Sequence, residues 1–291
     1  MTIAPEAPST APLRFLSLEI TSRCQLTCPG HCYAQAGPTA GHGTMTTDNW
    51  RRVLTEAAGL GATTVQMIGG EPLLHPHLTE IARHALDLGL RVRIYSNLYR
   101  VRAEHWLLFE HPRVSLATTV YSDDPAEHDT ITGRTGSHAA TVGTIAEALR
   151  RGLRPAVAVI DLGNGQRAEQ ARSAMTALGV PHVRVDRVRA VGNAARGALP
   201  STAELCGRCG DRKAAVLPSG DVSVCEVGRF LTAGTVAAGA SLASVLNSDR
   251  WAEITASVPH RASADPCPPD CQPAASDSCA PAKGEPCGPM D

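Results

Sequence analysis

The chain has 291 residues, 43% hydrophobic and 19% charged, with a formal net charge of -1. That length can bury a substantial core, as one large domain or one with an appendage, and the near-neutral balance excludes a nucleic-acid or anionic-membrane partner as an expectation. No run approaches the roughly 20 continuous apolar residues of a spanning helix. The opening "MTIAPEAPSTAPLR" has an acidic residue, three prolines and no apolar h-region, so it does not read as a secretory signal and a cytoplasmic protein is expected.

Residues 1–13 read as a flexible N-terminus, and from 14 short apolar runs alternate with longer amphipathic ones. The strands expected are "RFLSLEI" (14–20), "TTVQMI" (63–68), "RVRIYS" (91–96), "RVSLATTV" (113–120), "PAVAVI" (155–160) and "HVRVDRV" (182–188). Helices are expected near 47–59, 77–88, 102–110, 137–151 and 167–178, the first capped by Thr46 or Thr47 with Asp48 favouring the positive end of its dipole. Six strands alternating with helices make a mostly parallel sheet over 14–197. The fold class is α/β, a partial (β/α)6 TIM barrel, whose active site belongs at the C-terminal ends of its strands. From 198 the texture changes. "AAVLPSGDVSVC" (214–225) reads as a hairpin turning at Pro218, Ser219 and Gly220, and a helical stretch follows near 241–256. The tail from 262 has little apolar material, and metal ligation by its four cysteines would order it.

In a reducing compartment ten cysteines read as metal or redox groups. Three lie at 24–32 and seven at 206–287, with none between, so two metal regions are expected. Cys24, Cys28 and Cys32 follow the first strand. Three thiolates can hold three irons of a [4Fe–4S] cube and leave the fourth open; a structural zinc site wants four ligands, and His31 is the available fourth. Directly after the second strand stand Gly69, Gly70, Glu71 and Pro72. Two glycines let a ligand approach the backbone, and Glu71 supplies a carboxylate for an ammonium group.

The three-cysteine loop after strand one, "CPGHCYA" at its end and "GGEP" after strand two together resemble the radical S-adenosylmethionine (SAM) superfamily. The family pattern is C-x3-C-x2-C, and this chain has one extra residue between Cys28 and Cys32. The resemblance implies that these three cysteines hold a [4Fe–4S] cluster binding SAM, which is cleaved to methionine and a 5′-deoxyadenosyl radical that abstracts hydrogen from a substrate C–H bond. It implies that Gly69, Gly70 and Glu71 face the methionyl ammonium and that Ser96 and Asn97 lie near the ribose and carboxylate. His31 would stand beside adenine, with a solvent-facing loop histidine as the competing reading, and Ile160 and Asp161 would close strand five there. Asp123, Asp124, Asp186, Arg187 and Glu226 stand near strand ends and could touch substrate, a solvated rim being the reading for most of them, and no general acid or base is assigned. His128, Asp129, Gly133 and Arg134 read as shaping the entry of the next helix.

Cys209-x10-Gly220-x4-Cys225 resembles the opening of SPASM and twitch extensions, with Cys206 as a third ligand; a zinc ribbon is the competing reading. Cys267, Cys271, Cys279 and Cys287 depart from the SPASM spacing, leaving one or two auxiliary iron–sulfur clusters open. The resemblance points to modification of a ribosomally made precursor peptide by crosslink, thioether or epimerisation. Only 23 residues precede Cys24, so leader recognition would fall to a separate protein. An electron donor such as flavodoxin or ferredoxin is implied. The alternatives are a small-molecule, aminocyclitol-like dehydrogenase and a metal-stapled binding protein without catalysis.

Overall fold

The computed structural model describes residues 12–259. The strands β1 (Phe15–Thr21), β2 (Thr64–Gly69), β3 (Arg91–Tyr95), β4 (Val114–Val120), β5 (Ala156–Asp161) and β6 (His182–Arg187) pair in parallel with their sequence neighbours. Between them run α1 (Thr47–Gly59), α2 (Leu78–Asp87), α3 (Ala103–Phe109), α4 (Pro125–Thr132), α5 (Ser137–Arg150) and α6 (Ala168–Ala177). Every residue of β1 and β2 is buried, as expected of central strands covered on both faces. The main core joins Leu16, Leu18 and Ile20 of β1 to Trp50, Val53 and Leu54 of α1 and Ile81 of α2.

The sheet does not stop at the barrel strands. β7 (Lys213–Val216) lies parallel to β1, pairing Phe15 with Lys213, and β8 (Asp221–Ser223) and β9 (Thr232–Thr235) continue antiparallel. The order is β6-β5-β4-β3-β2-β1-β7-β8-β9. Helices α7 (Leu242–Leu246) and α8 (Asp249–Ala256) follow; the single helical stretch expected at 241–256 is broken at Asn247, because Ser248 caps α8 through the amide of Trp251.

Two elements were not expected from the sequence. The segment read as an approach to the next helix is itself α4: Asp124 accepts from the amides of Ala126 and Glu127, Pro125 starts the first turn, and Gly133, at φ 68°, ends it. The short β9 carries a glycine and has no alternating pattern, and the edge of β8 selects it.

The capping of α1 is as expected. Thr46 Oγ1 accepts from the Asn49 amide and the Asn49 side chain accepts from the Thr46 amide. Thr46→Ala should therefore cost about 1 kcal/mol in urea unfolding.

Candidate active site

A cavity of about 220 Å³ lies at the C-terminal ends of the barrel strands. Cys24, Cys28, Cys32, His31, Gly69, Gly70, Ser96, Asn97 and Ile160 all line it, so most of the residues singled out in the sequence meet in one place. Asp161 is not among the lining residues.

The cysteine loop is held by backbone bonds at both ends. The Cys24 amide donates to Gly37 O, and the Thr27 and Cys28 amides donate to Thr132 O at the end of α4 (3.1 and 3.0 Å). The Cys32 amide donates to Cys28 O (3.2 Å), so the extra residue is absorbed as one α-type turn that begins with Cys28 in the left-handed region at φ 38°. Two sulfurs receive N–H donors: Cys24 Sγ from Leu26 N and Asn97 Nδ2, and Cys32 Sγ from Ala36 N. His31 is buried and faces inward, which overturns the solvent-facing reading. Its ring meets Tyr121 edge-on at 4.6 Å, its Nε2 has no partner, and burial pushes its pKa down to about 4.

Glu71 stands behind this lining. Its Oε1 accepts from Leu73 N and Ser96 Oγ and its Oε2 from Asn97 N, at 2.8 to 2.9 Å. The carboxyl thus ties the end of β2 to the end of β3, and Asn97 extends the tie to Cys24 and to Gln25 Nε2. Burial pushes the Glu71 pKa up to about 7 against the pull of those donors.

The rest of the wall is more charged than the sequence suggested. Asp186, Arg187, Arg189 and Glu226 line the cavity, and Asp186 and Glu226 are buried, so the solvated-rim reading fails for these two. Asp186 accepts from Arg184, Arg189 and the Arg187 amide. The rim reading holds for Asp123, which pairs with Arg167, while Asp124 is spent capping α4. Tyr95, Thr119 and Tyr121, which also line the cavity, gave no sequence signal beyond their place at strand ends.

The second cysteine group lies under α8. Cys206 and Cys209 Sγ are 3.8 Å apart and Cys209 and Cys225 Sγ 3.3 Å, with Lys213 Nζ 3.7 Å from Cys206 Sγ. Cys206 is the thiol held low, by the hydrogen bond from Cys209 and by Lys213 against the cost of burial; Cys209 is held high. Cys267, Cys271, Cys279 and Cys287 lie outside the described residues. Among the described residues no three His, Cys, Asp or Glu side chains are arranged around a single metal ion.

Arg229 joins the two halves of the site, donating to Ala34 O in the cysteine loop and to Glu19 Oε2 on β1 (3.1 Å). Burial nonetheless lifts the Glu19 pKa from 4.5 to about 7. The folded chain therefore takes up a proton at Glu19 in that window, and its stability falls as pH rises through it. The wild type should lose roughly 3 kcal/mol more than Glu19→Gln between pH 4.5 and 8 in urea titrations.

Residues 18–178 match the family described as Radical SAM superfamily. The chain belongs to the radical SAM superfamily. Among curated relatives, the PqqA peptide cyclase of Ruegeria pomeroyi is 35% identical over 162 residues, covering 52% of this chain and 40% of the cyclase. The AdoMet-dependent heme synthase of Methanosarcina barkeri is 32% identical over 149 residues, 50% of this chain and 41% of the synthase. The matched stretch thus spans about two fifths of these relatives. Streptococcus suis SuiB bound to its precursor peptide SuiA shares the fold at a TM-score of 0.70 and 14% identity, over 84% of this chain and 67% of that one. The enzyme anSMEcpe with bound AdoMet and Cp18Cys peptide does so at 0.62 and 11%, over 84% and 82%.

Radical SAM membership implies a [4Fe–4S] cluster and SAM, and the residues present fit them. The three loop thiols are free of disulfides and line the cavity, with N–H donors turned toward two of the sulfurs. Burial, and then Glu71, push the Cys24 pKa up to about 12, and burial drives Cys28 upward too. Such thiols ionise only when a cationic group enters among them.

Proposed function

We propose that this protein is a radical SAM enzyme that modifies a ribosomally made precursor peptide in the cytoplasm. The observation that carries the radical SAM reading is the single cavity lined by Cys24, Cys28, Cys32, Gly69, Gly70, Ser96 and Asn97; the peptide reading is supported by the likeness to peptide cyclases. When bound, a reduced cluster and SAM would supply the one-electron chemistry by which hydrogen is abstracted from a substrate C–H bond.

The chain's own residues do the rest. Cys24, Cys28 and Cys32 hold the cluster, and the backbone at Gly69 and Gly70 leaves room for the methionyl end of SAM. His31, Ile160, Ser96 and Asn97 wall the SAM site. Glu71 fixes that wall through its three hydrogen bonds, in place of the exposed ammonium contact expected from the sequence. The buried Asp186, with Arg187, Arg189 and Glu226, offers polar contacts for substrate. Apolar side chains such as Leu26, Ile68 and Val227 in the same wall exclude water from a reactive intermediate. Cys206, Cys209 and Cys225 would hold an auxiliary iron–sulfur cluster, which would supply an acceptor for the electron released on substrate oxidation. A flavodoxin or ferredoxin supplies electrons.

The test is anaerobic incubation of cluster-loaded protein with SAM, reductant and any short cysteine- or aromatic-containing peptide encoded beside its gene. Loss of hydrogen mass or uptake of solvent deuterium, in step with 5′-deoxyadenosine, is the expected result. An unchanged peptide, with deoxyadenosine rising instead upon addition of an aminocyclitol, would overturn it.

A further inference from the structure

The helix α4, which the sequence did not announce, carries a histidine with an unusual hydrogen-bond state. Asp129 Oδ1 accepts from His138 N (2.8 Å) and from Ser137 Oγ (2.9 Å), and its Oδ2 accepts from Gly136 N (2.6 Å). These bonds hold the Asp129 carboxyl below its usual pKa although burial works against them, so it is an acceptor only and takes the one proton of the Ser137 hydroxyl. Ser137 Oγ has two further neighbours, Thr132 Oγ1 at 2.6 Å and His128 Nδ1 at 3.1 Å. The Thr132 hydroxyl also donates back to His128 O and Asp129 O (3.1 and 3.2 Å); whichever neighbour Thr132 serves, the serine proton committed to Asp129 is not available to His128, and Ser137 accepts from Nδ1. His128 therefore carries its hydrogen on Nδ1, and Nε2 is a bare acceptor.

Among the described residues that acceptor has no partner. The His128 side chain is 2% exposed, its ring lines the cavity, and its Nε2 is buried without a partner. A buried nitrogen lone pair left unmet is costly, and a ligand with an N–H or O–H removes the cost. The location narrows the ligand. Thr132 O, one turn along α4, receives the Thr27 and Cys28 amides, and Tyr121 touches both rings, 4.6 Å from His31 and 5.7 Å from His128. His128 is thus part of the cysteine-loop end of the cavity. Its surroundings keep it neutral: burial pushes its pKa down to about 4, with His138 and His31 pushing the same way and Asp129 opposing.

We propose that His128 is a SAM-contact residue whose bare Nε2 accepts a hydrogen bond from the nucleoside half of SAM. The inference rests on the radical SAM reading. The SAM carboxylate and sulfonium have no proton to donate, and the methionyl end would lie at Gly69 and Gly70, which leaves the ribose hydroxyls and the adenine amine. Ser137 and Asp129 act through His128, as positioning residues that hold the tautomer.

The test is equilibrium binding of S-adenosylhomocysteine, which has the same nucleoside and is not cleaved, to cluster-loaded protein under anaerobic conditions. His128→Phe should weaken binding about tenfold, the equivalent of one hydrogen bond. His128→Gln, whose amide oxygen can accept in place of Nε2, should recover most of the loss, with iron content and melting temperature held. Binding by His128→Phe within about twofold of wild type would overturn the proposal alone. A wild type that does not bind at all would overturn the radical SAM reading and the proposal with it. Should His128→Phe fail to fold, the ¹⁵N resonance of His128 Nε2 in the wild type decides: it should be unprotonated in the free protein and shift when S-adenosylhomocysteine is added. A protonated Nε2, or no shift, overturns the assignment.

Discussion

Replacing Cys24, Cys28 and Cys32 together by alanine is expected to remove about four irons per chain and to abolish release of 5′-deoxyadenosine from SAM. The fold should survive, because the loop is anchored by main-chain bonds that do not use the thiols: Cys24 N to Gly37 O, and Thr27 N and Cys28 N to Thr132 O. Loss of chemistry without loss of structure is what separates a cluster ligand from a core cysteine. Iron analysis, circular dichroism and chromatography of the nucleoside product make the comparison. Iron retained by the variant reports the second cysteine group, about eight for two auxiliary clusters and about four for one. A variant that keeps its full iron and still makes deoxyadenosine would remove the loop from the mechanism.

The second large effect is expected at Gly70. A Cβ there would fall well inside contact with Arg23 O and would crowd Ala36 Cβ at 3.0 Å. On either side, Gly70 N donates to Thr21 O (2.7 Å) and Glu71 N to Arg23 O (2.8 Å), which lock the end of β2 to the start of the cysteine loop. Gly69, at φ 143°, leaves no slack, since its own Cβ would strike Thr21 O. Gly70→Ala must break one of these bonds, at roughly 3 kcal/mol of stability, and must shift Cys24 from its place. Displacement on the order of 1 Å should slow deoxyadenosine formation roughly a hundredfold. Gly143→Ala, in α5 with nothing near its Cβ, should instead stabilise by about 1 kcal/mol and leave turnover unchanged. Equal behaviour of the two variants in urea unfolding and in turnover would refute the steric argument.

Much of this arrangement was legible in the sequence because it is local. Each barrel strand is a short apolar run bounded by turn residues, and the observed ends fall within one residue of those expected. The loop cysteines and the glycines at the end of β2 stand out in the sequence, and the resemblance to the radical SAM pattern joins them. What could not be read is what depends on neighbours distant in the chain. Glu71 looked like an open carboxylate, and only the packing of β3 beside β2 turns it toward Ser96 and Asn97. Asp186 on β6 and Glu226 after β8 read as rim charges, and the structure buries both in the wall of one cavity. The miss at α4 was different, because Asp124, Pro125 and Gly133 are ordinary start and stop signals. They bound a polar stretch without an apolar stripe.

The pairing of β1 with β7 sets an order of events during synthesis. Phe15 and Lys213 are nearly two hundred residues apart in the chain. At translation rates of about 5–20 residues per second, β1 waits on the order of ten to forty seconds for that neighbour. During this interval one edge of a strand that is buried along its whole length in the folded protein lies unpaired, a template for any other extended chain. Yield of native protein should therefore be governed by how long nascent chains are shielded, more than by the final free energy of folding.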